Sequence, residues 1–391
     1  MTRSPFFIAL GGLLANAAAN GIGRFVYTPI LPPMVEALHL SKSEAGLIAS
    51  ANFAGYLAGA LLAALRLPGS RRTWLLGALV ANALGLGAMA ATTSFSLFLL
   101  IRLIGGVASA FAFVFAAALV LDRLAAAGRG GLAAVHFAGV GAGIAVSAAL
   151  VAILVQTGGQ AGNDWRTLWL ASAVLALLAS IAVAFLVPSD HAHAAAPHPA
   201  KRQPLPAGFT RLAIAYGLFG FGYIITATFI VAMVRGSKEI ASLEPVIWVM
   251  FGLAAAPSVA LWGRLGGRLG IRRAYALAAV VEAGGVWVSA MWINPATVVA
   301  TSLLVGGTFM GLTALGLIAA REIGNEGGAG DPRRRIAIVT AVFGLGQILG
   351  PSFAGYVFDV TGSFTLPSMA AAVALVLSAM LVLPRPDPLA R

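Results

Sequence analysis

The sequence has no cysteine, which excludes disulfides, thiol catalysis and cysteine-ligated metals. Charge is scarce. Asp, Glu, Lys and Arg make up 10% of 391 residues, against roughly 25% in a soluble domain. Acids are scarcest, 13 against 25 Lys and Arg. So few charges cannot cover a water-soluble chain of this length, so a large soluble enzyme is excluded. A hydrophobic content of 60% and a mean hydropathy of +0.93 exclude disorder. There is no H-E-x-x-H, no G-x-S-x-G, no Walker loop and no pair of carboxylates within one apolar run. No enzymatic activity, cofactor or resident metal is therefore expected. Without an ATPase domain, any driving force is an ion or substrate gradient.

What the chain has is long apolar runs. A membrane-spanning helix needs about 20 mostly apolar residues. About twelve runs qualify: 6–34, 45–65, 74–92, 96–121, 132–156, 167–187, 211–234, 245–263, 274–292, 297–320, 336–358 and 365–383. The expected fold class is an all-α polytopic membrane protein with 12 transmembrane helices. Between the sixth and seventh runs lies 188–210, rich in Ala, Pro and His, which reads as a linker. It separates a first six-helix half, 1–187, from a second, 211–391. His191, His193 and His198 in the linker read as solvated residues, without the carboxylate support a metal site needs.

A net charge of +12 ordinarily points to nucleic acid. Placing the charges points to topology instead. With both termini and the even-numbered loops on one side, that side holds 19 of the 25 Lys and Arg. Four face the other side, and Arg24 and Arg102 lie inside runs. The acids split evenly, with Glu282 left inside a run. This is the positive-inside pattern, so both termini are expected on the cytoplasmic face of the inner membrane, and nucleic acid is not an expected partner. The Arg-rich 333–335 segment is expected to set topology and touch anionic lipid. Arg3, the apolar run after it and the Ala-rich 15–20 also resemble a signal peptide. Cleavage there would leave an odd number of spans and remove one partner of a repeat.

That repeat has three parts. Gly21-Ile22-Gly23 in span 1 and Gly220-Phe221-Gly222 in span 7 lie 199 positions apart. Arg71-Arg72 and Arg272-Arg273 lie 201 apart. Gly139-x-x-x-Gly143 in span 5 and Gly346-x-x-x-Gly350 in span 11 lie 207 apart. Parallel repeats of this kind describe a transporter whose substrate site lies at the midplane between the halves.

With these motifs the chain resembles the major facilitator superfamily over nearly its whole length. Gly263-Arg264-Leu265-Gly266-Gly267-Arg268-Leu269-Gly270-Ile271-Arg272-Arg273 is similar to the family's G-x-x-x-D-R-x-G-R-R loop, with Gly267 in place of the Asp. The first-half copy, Gly59 to Arg72, retains Gly69, Arg71 and Arg72 and has no Asp. Arg102 to Gly106 resembles the span-4 pattern whose Arg is tied to proton coupling. Gly346, Gly350 and Pro351 resemble a G-x-x-x-G-P signature usual in span 5 of antiporters, yet span 5 has Ile144 where that Pro would stand. GIGRFVYTPILPPM at 21–34 and GFGYIITATF at 219–228 resemble the YbfB/YjiJ-type subfamily. The resemblance implies a secondary transporter, functional as a monomer.

A few polar residues in the apolar runs are site candidates. Arg24 at bilayer depth costs roughly 2.5–3.5 kcal/mol and needs a partner. Its planar fork suits carboxylate or phosphate, which points to a small organic anion. The other reading for Arg24 is a structural ion pair, or contacts to carbonyls freed by the nearby Gly and Pro. Asn16, Asn20 and Arg24 recur every four residues and form one polar stripe, with Tyr27 a turn further on. Tyr223, at the 199 offset from Arg24, joins Thr226 and Thr228 in span 7 as further substrate-binding candidates. Pro29, Pro32 and Pro33 predict a bend in the outer half of span 1. Coupling or gating candidates are Arg102, Glu282 as a carboxyl able to take up a proton, and His136. Ninth helices stand at the periphery in this superfamily, so the resemblance sets Glu282 away from the centre. The expected function is alternating-access transport of a small anion. The alternative is proton-driven efflux of amphipathic compounds, for which Phe111, Phe113 and Phe115 would line the path.

Overall fold

In hydrocarbon a backbone amide finds no water, so apolar runs close their hydrogen bonds locally as helices. The computed structural model describes residues 4–65, 67–159, 164–188, 205–206, 208–291, 294–323 and 332–383. Among these the first seven α-helices are α1 Pro5–Asn16, α2 Tyr27–Leu38, α3 Lys42–Ala63, α4 Arg71–Ala90, α5 Phe95–Ala126, α6 Ala133–Thr157 and α7 Trp165–Leu186. The next six are α8 Phe209–Arg235, α9 Glu244–Leu269, α10 Ile271–Met291, α11 Pro295–Glu322, α12 Pro332–Thr361 and α13 Thr365–Val382. Helices α1 and α2 are two parts of one span, so the twelve expected spans are all present. Eleven satisfy length and apolarity for crossing a membrane, and the twelfth is the 21-residue helix α10. The outer surface is apolar: Leu84, Phe185 and Leu253 are exposed, whereas Asn16, Asn20, Asn52 and Asn82 are buried. This is the surface of an integral membrane protein. The linker histidines and most of 188–210 lie outside the described residues.

The two G-x-x-x-G motifs do the same work at equivalent places. Gly139 and Gly143 of α6 lie against the backbone of Leu13, Ala17 and Gly21 in the first span. Gly346 and Gly350 of α12 lie against Gly217 and Phe221 of α8. In both cases the missing side chain lets two helices meet at backbone distance. Two seams join helices from before and after the linker. In one, α3 runs along α12, where Gly46 meets Pro351 and Ser50 Oγ donates to the Ile348 carbonyl at 2.6 Å. In the other, Gly141 of α6 meets Ala255 and Ala256 of α9.

At the end opposite the termini these seams are latched by charge. Arg235 bridges Glu36 at 2.6 Å and Glu244 at 3.0 Å. The Asp359 carboxylate accepts from the Lys42 and Ser43 amides at 3.0 and 2.8 Å, which caps the N-terminus of α3 from across the seam. Such a cap contributes about 1 kcal/mol. Asp359→Ala is therefore expected to make this end open about fivefold more often. Maleimide labelling of a cysteine placed at Ser43 would measure it, in a chain with no other cysteine to compete.

Two expectations are corrected. The bend in the first span does not sit at the prolines. It is a π-helical turn, Ala17–Ile22, followed by turns up to Val26. Pro29 then falls in the first turn of α2, where its missing amide costs nothing, and Pro32 and Pro33 lie inside that helix. Arg333–Arg335 is not a loop but the first turn of α12, and Arg335 is buried, donating to the Arg321 carbonyl at 3.0 Å. Gly270, at φ +86°, makes the tight turn from α9 into α10, a conformation an L side chain resists. Arg268, Arg272 and Arg273 flank that turn at the terminus end.

Candidate functional site

The break in the first span frees backbone carbonyls, and buried carbonyls must be bonded. The Ala19 carbonyl accepts from Asn82 Nδ2 at 3.1 Å and from Ser109 Oγ at 2.7 Å. Arg102 of α5 donates to the Gly23 carbonyl at 3.2 Å and to the Arg24 carbonyl at 3.1 Å. Trp248 of α9 donates to the Phe25 carbonyl at 3.2 Å. Three consecutive carbonyls are thus held by one residue from each side of the linker. Gly23 is required here, because a Cβ would strike the Asn82 amide.

The held backbone presents Arg24. Its side chain is only 7% exposed, at the centre of the bundle. The guanidinium lies over the Tyr56 ring at 3.9 Å and near the Phe53 ring at 4.9 Å. It interacts electrostatically with the Tyr56 and Tyr223 phenols. Nε and Nη2 are buried without a partner, and among the described residues no carboxylate pairs with Arg24. Those two nitrogens form one edge of the fork, with two parallel N–H groups. That edge matches the two oxygens of a carboxylate. The ion-pair and freed-carbonyl alternatives for Arg24 are not what the geometry displays. It is Arg102 that bonds the freed carbonyls.

The other sequence candidates separate into groups. Tyr223, at the 199-residue offset from Arg24, interacts electrostatically with it. Its hydroxyl bonds Gln347 of α12, and its ring stacks on Phe309 at 5.5 Å and Phe343 at 6.0 Å. Asn20 lies one turn before Arg24, buried, with Nδ2 unbonded. Asn16 and His136 bond each other, with Asn16 Nδ2 3.2 Å from His136 Nε2 and 2.9 Å from the His136 carbonyl. The π-helical turn adds a residue to the repeat, so Asn16 and Arg24 do not share one face. Tyr27 donates to the Ala45 carbonyl at 2.8 Å and lies under Arg102, its ring 6.4 Å from Trp169. Thr226 is buried with a free hydroxyl, and lines a cavity at the end opposite the termini, not the centre. Thr228 is buried. Glu282 is fully buried, with Oε2 accepting from Thr308 at 2.8 Å and Oε1 unbonded. Phe111 and Phe115 pack on Trp74 between α4 and α5, and Phe113 packs on Phe137, inside the first group of helices. Tyr56, Phe53, Gln347 and Trp248 went unnoticed in the sequence. Only Gln347, a polar residue inside an apolar motif, carried a signal.

The comparisons agree with this architecture. The sequence family described as uncharacterised MFS-type transporter YbfB matches residues 16–383. The chain belongs to this family of major facilitator transporters. A chloramphenicol resistance protein of Streptomyces lividans is 31% identical over 268 residues, just under two thirds (66%) of each chain. The crystal structure of a mutant of the nucleoside transporter NupG superposes with a TM-score of 0.70 at 15% identity, covering 96% of this chain and 98% of that one. At that identity the likeness shows the fold. The family fixes the class: a transporter, and with it a small-molecule substrate.

Proposed function

We propose that this transporter moves a small organic anion, a carboxylate, across the cytoplasmic membrane by alternating access. The observation that carries the reading is the bare Nε and Nη2 edge of Arg24, buried and without an acid partner. An unpaired guanidinium at bilayer depth is costly, and a bound carboxylate offsets that cost. Tyr223 and Asn20 would complete the polar contacts. Residues 1–187 and 211–391 act as the two rocking halves. Arg102 and Trp248 link the site to motion, since they hold the adjacent Arg24 and Phe25 carbonyls from different halves. We read both termini as cytoplasmic from the Lys and Arg placement, so the latched end faces outward. The chain acts as a monomer surrounded by lipid.

A second reading is efflux of a neutral amphiphile, favoured by the relative named as a chloramphenicol resistance protein. A thermal-stability screen of purified protein against small carboxylates and uncharged drugs separates the two. A carboxylate should stabilise wild type and fail with Arg24→Ala. If no carboxylate stabilises wild type, and uncharged drugs stabilise both proteins alike, the anion reading fails.

A further inference from the structure

Among the helices that follow the linker, a cavity of about 360 Å³ opens at the latched end. The transport reading gives this space no role. Its rim is formed by the residues just after α8 and α12, Gly236 and Ser237 on one side and Gly362 and Ser363 on the other. Lys42 of α3 stands beside them, its Nζ 5.8 Å from the Phe358 ring. Lys42 is the only charged side chain on the wall among the described residues. Further in, the wall is buried and mostly apolar, with Ile230 and Val234 of α8 and Val298 of α11.

Thr226 lies furthest from the mouth, ten residues before Gly236 and about 15 Å along the α8 axis. It is 2% exposed, and its hydroxyl has no partner. A helical Thr ordinarily bonds the carbonyl one turn back. Thr301, on the same wall, does so to Thr297 at 2.9 Å, and Thr308 and Thr313 do so to Leu304 and Phe309. Thr226 does not, so its hydroxyl is left for whatever fills the cavity. A buried hydroxyl without a partner costs about 1–3 kcal/mol, and a ligand oxygen removes that cost. An ionised group has no counter-charge at this depth, so the ligand oxygen is uncharged. At about 30 Å³ for each water-sized group, the space admits about a dozen non-hydrogen atoms. A phospholipid with its two acyl chains is too large.

We propose that this cavity binds a small uncharged amphiphile, whose single hydroxyl or carbonyl oxygen pairs with Thr226 while its apolar body fills the space up to the rim. A pocket of this size, apolar with one placed polar group, has the make-up of a small-molecule site. It shares no wall residue with the surroundings of Arg24. The occupant is therefore a second ligand and not the transported one, and the inference rests on neither reading of the central site.

The test uses the full chain in liposomes with an n-decanol that carries a diazirine, and mass spectrometry to locate the adducts after illumination. Adducts are expected on wall residues such as Met233, Phe358 and Phe364, saturating with concentration and displaced by plain n-decanol. At equal concentration in the membrane, n-decane, which lacks the oxygen, should displace them about fivefold less well. Thr226→Val keeps the shape and loses the hydroxyl, so it should erase that difference. Ala290→Trp and, from another helix, Val298→Trp fill the cavity and should remove the wall adducts. Arg24→Ala should leave all of this unchanged, so a failed anion reading does not touch the result. Adducts confined to outer-surface side chains such as Leu253 and Phe185 overturn the proposal. So does equal displacement by decane and decanol in wild type, a preference for decanol that survives in Thr226→Val, or labelling of the wall unchanged in both Trp variants.

Discussion

Arg24→Ala lowers affinity for the transported carboxylate about 100-fold or more, the expected loss of a buried, charge-assisted bidentate contact worth about 3 kcal/mol. Titrating the ligand-induced thermal shift of purified protein measures it. Arg24→Lys recovers only part, leaving about a tenfold loss, because an ammonium is a point charge without parallel donors. In the ligand-free protein the sign reverses. Wild type holds a buried cation with two bare nitrogens. Removing that cation leaves the melting temperature unchanged or raises it. A structural Arg would show the opposite, a loss of stability with or without ligand. The pair of measurements therefore separates binding from scaffolding.

Arg102→Ala produces the other large effect, and it lands on stability. Its two terminal nitrogens bond the Gly23 and Arg24 carbonyls. Each carbonyl left bare and buried costs about 1–3 kcal/mol, so the variant is destabilised by about 2–6 kcal/mol. Unfolding followed by the fluorescence of the seven tryptophans reads this directly. Carboxylate binding is lost as well, although Arg102 does not touch the ligand, because the backbone that aims Arg24 is released. If Arg102→Ala melts like wild type, the carbonyls are satisfied some other way and the clamp assigned to Arg102 is wrong.

Hydropathy made the spans readable because a bilayer demands long apolar runs whatever the substrate. The repeat was readable for a related reason. Close helix packing can be met only by small residues at fixed spacing, and Gly139, Gly143, Gly346 and Gly350 supply them in both parts of the chain. The 199-residue offset picks out Tyr223, whose phenol interacts electrostatically with Arg24. The break in the first span was not readable. Pro29 falls in the first turn of α2 and Pro32 and Pro33 inside it, past the break, while the π-helical turn that displaces Arg24 leaves no compositional trace. The sequence shows that Arg102 needs a partner but not which, because its acceptors are backbone carbonyls. Asn16 and His136 looked available for substrate or protons, and their mutual hydrogen bond joins residues 120 positions apart. Tyr56 and Phe53, which cover the guanidinium, are ordinary aromatics in an apolar helix until the fold brings Arg24 to them.

The central claim is that Arg24 recognises a carboxylate. The most direct measurement is the thermal shift given by a carboxylate that stabilises the protein against the shift from its own neutral amide, in wild type and in Arg24→Ala. The account predicts a clear preference for the carboxylate in wild type and none in the variant. Equal shifts from acid and amide in wild type, or a preference that survives in Arg24→Ala, would contradict it.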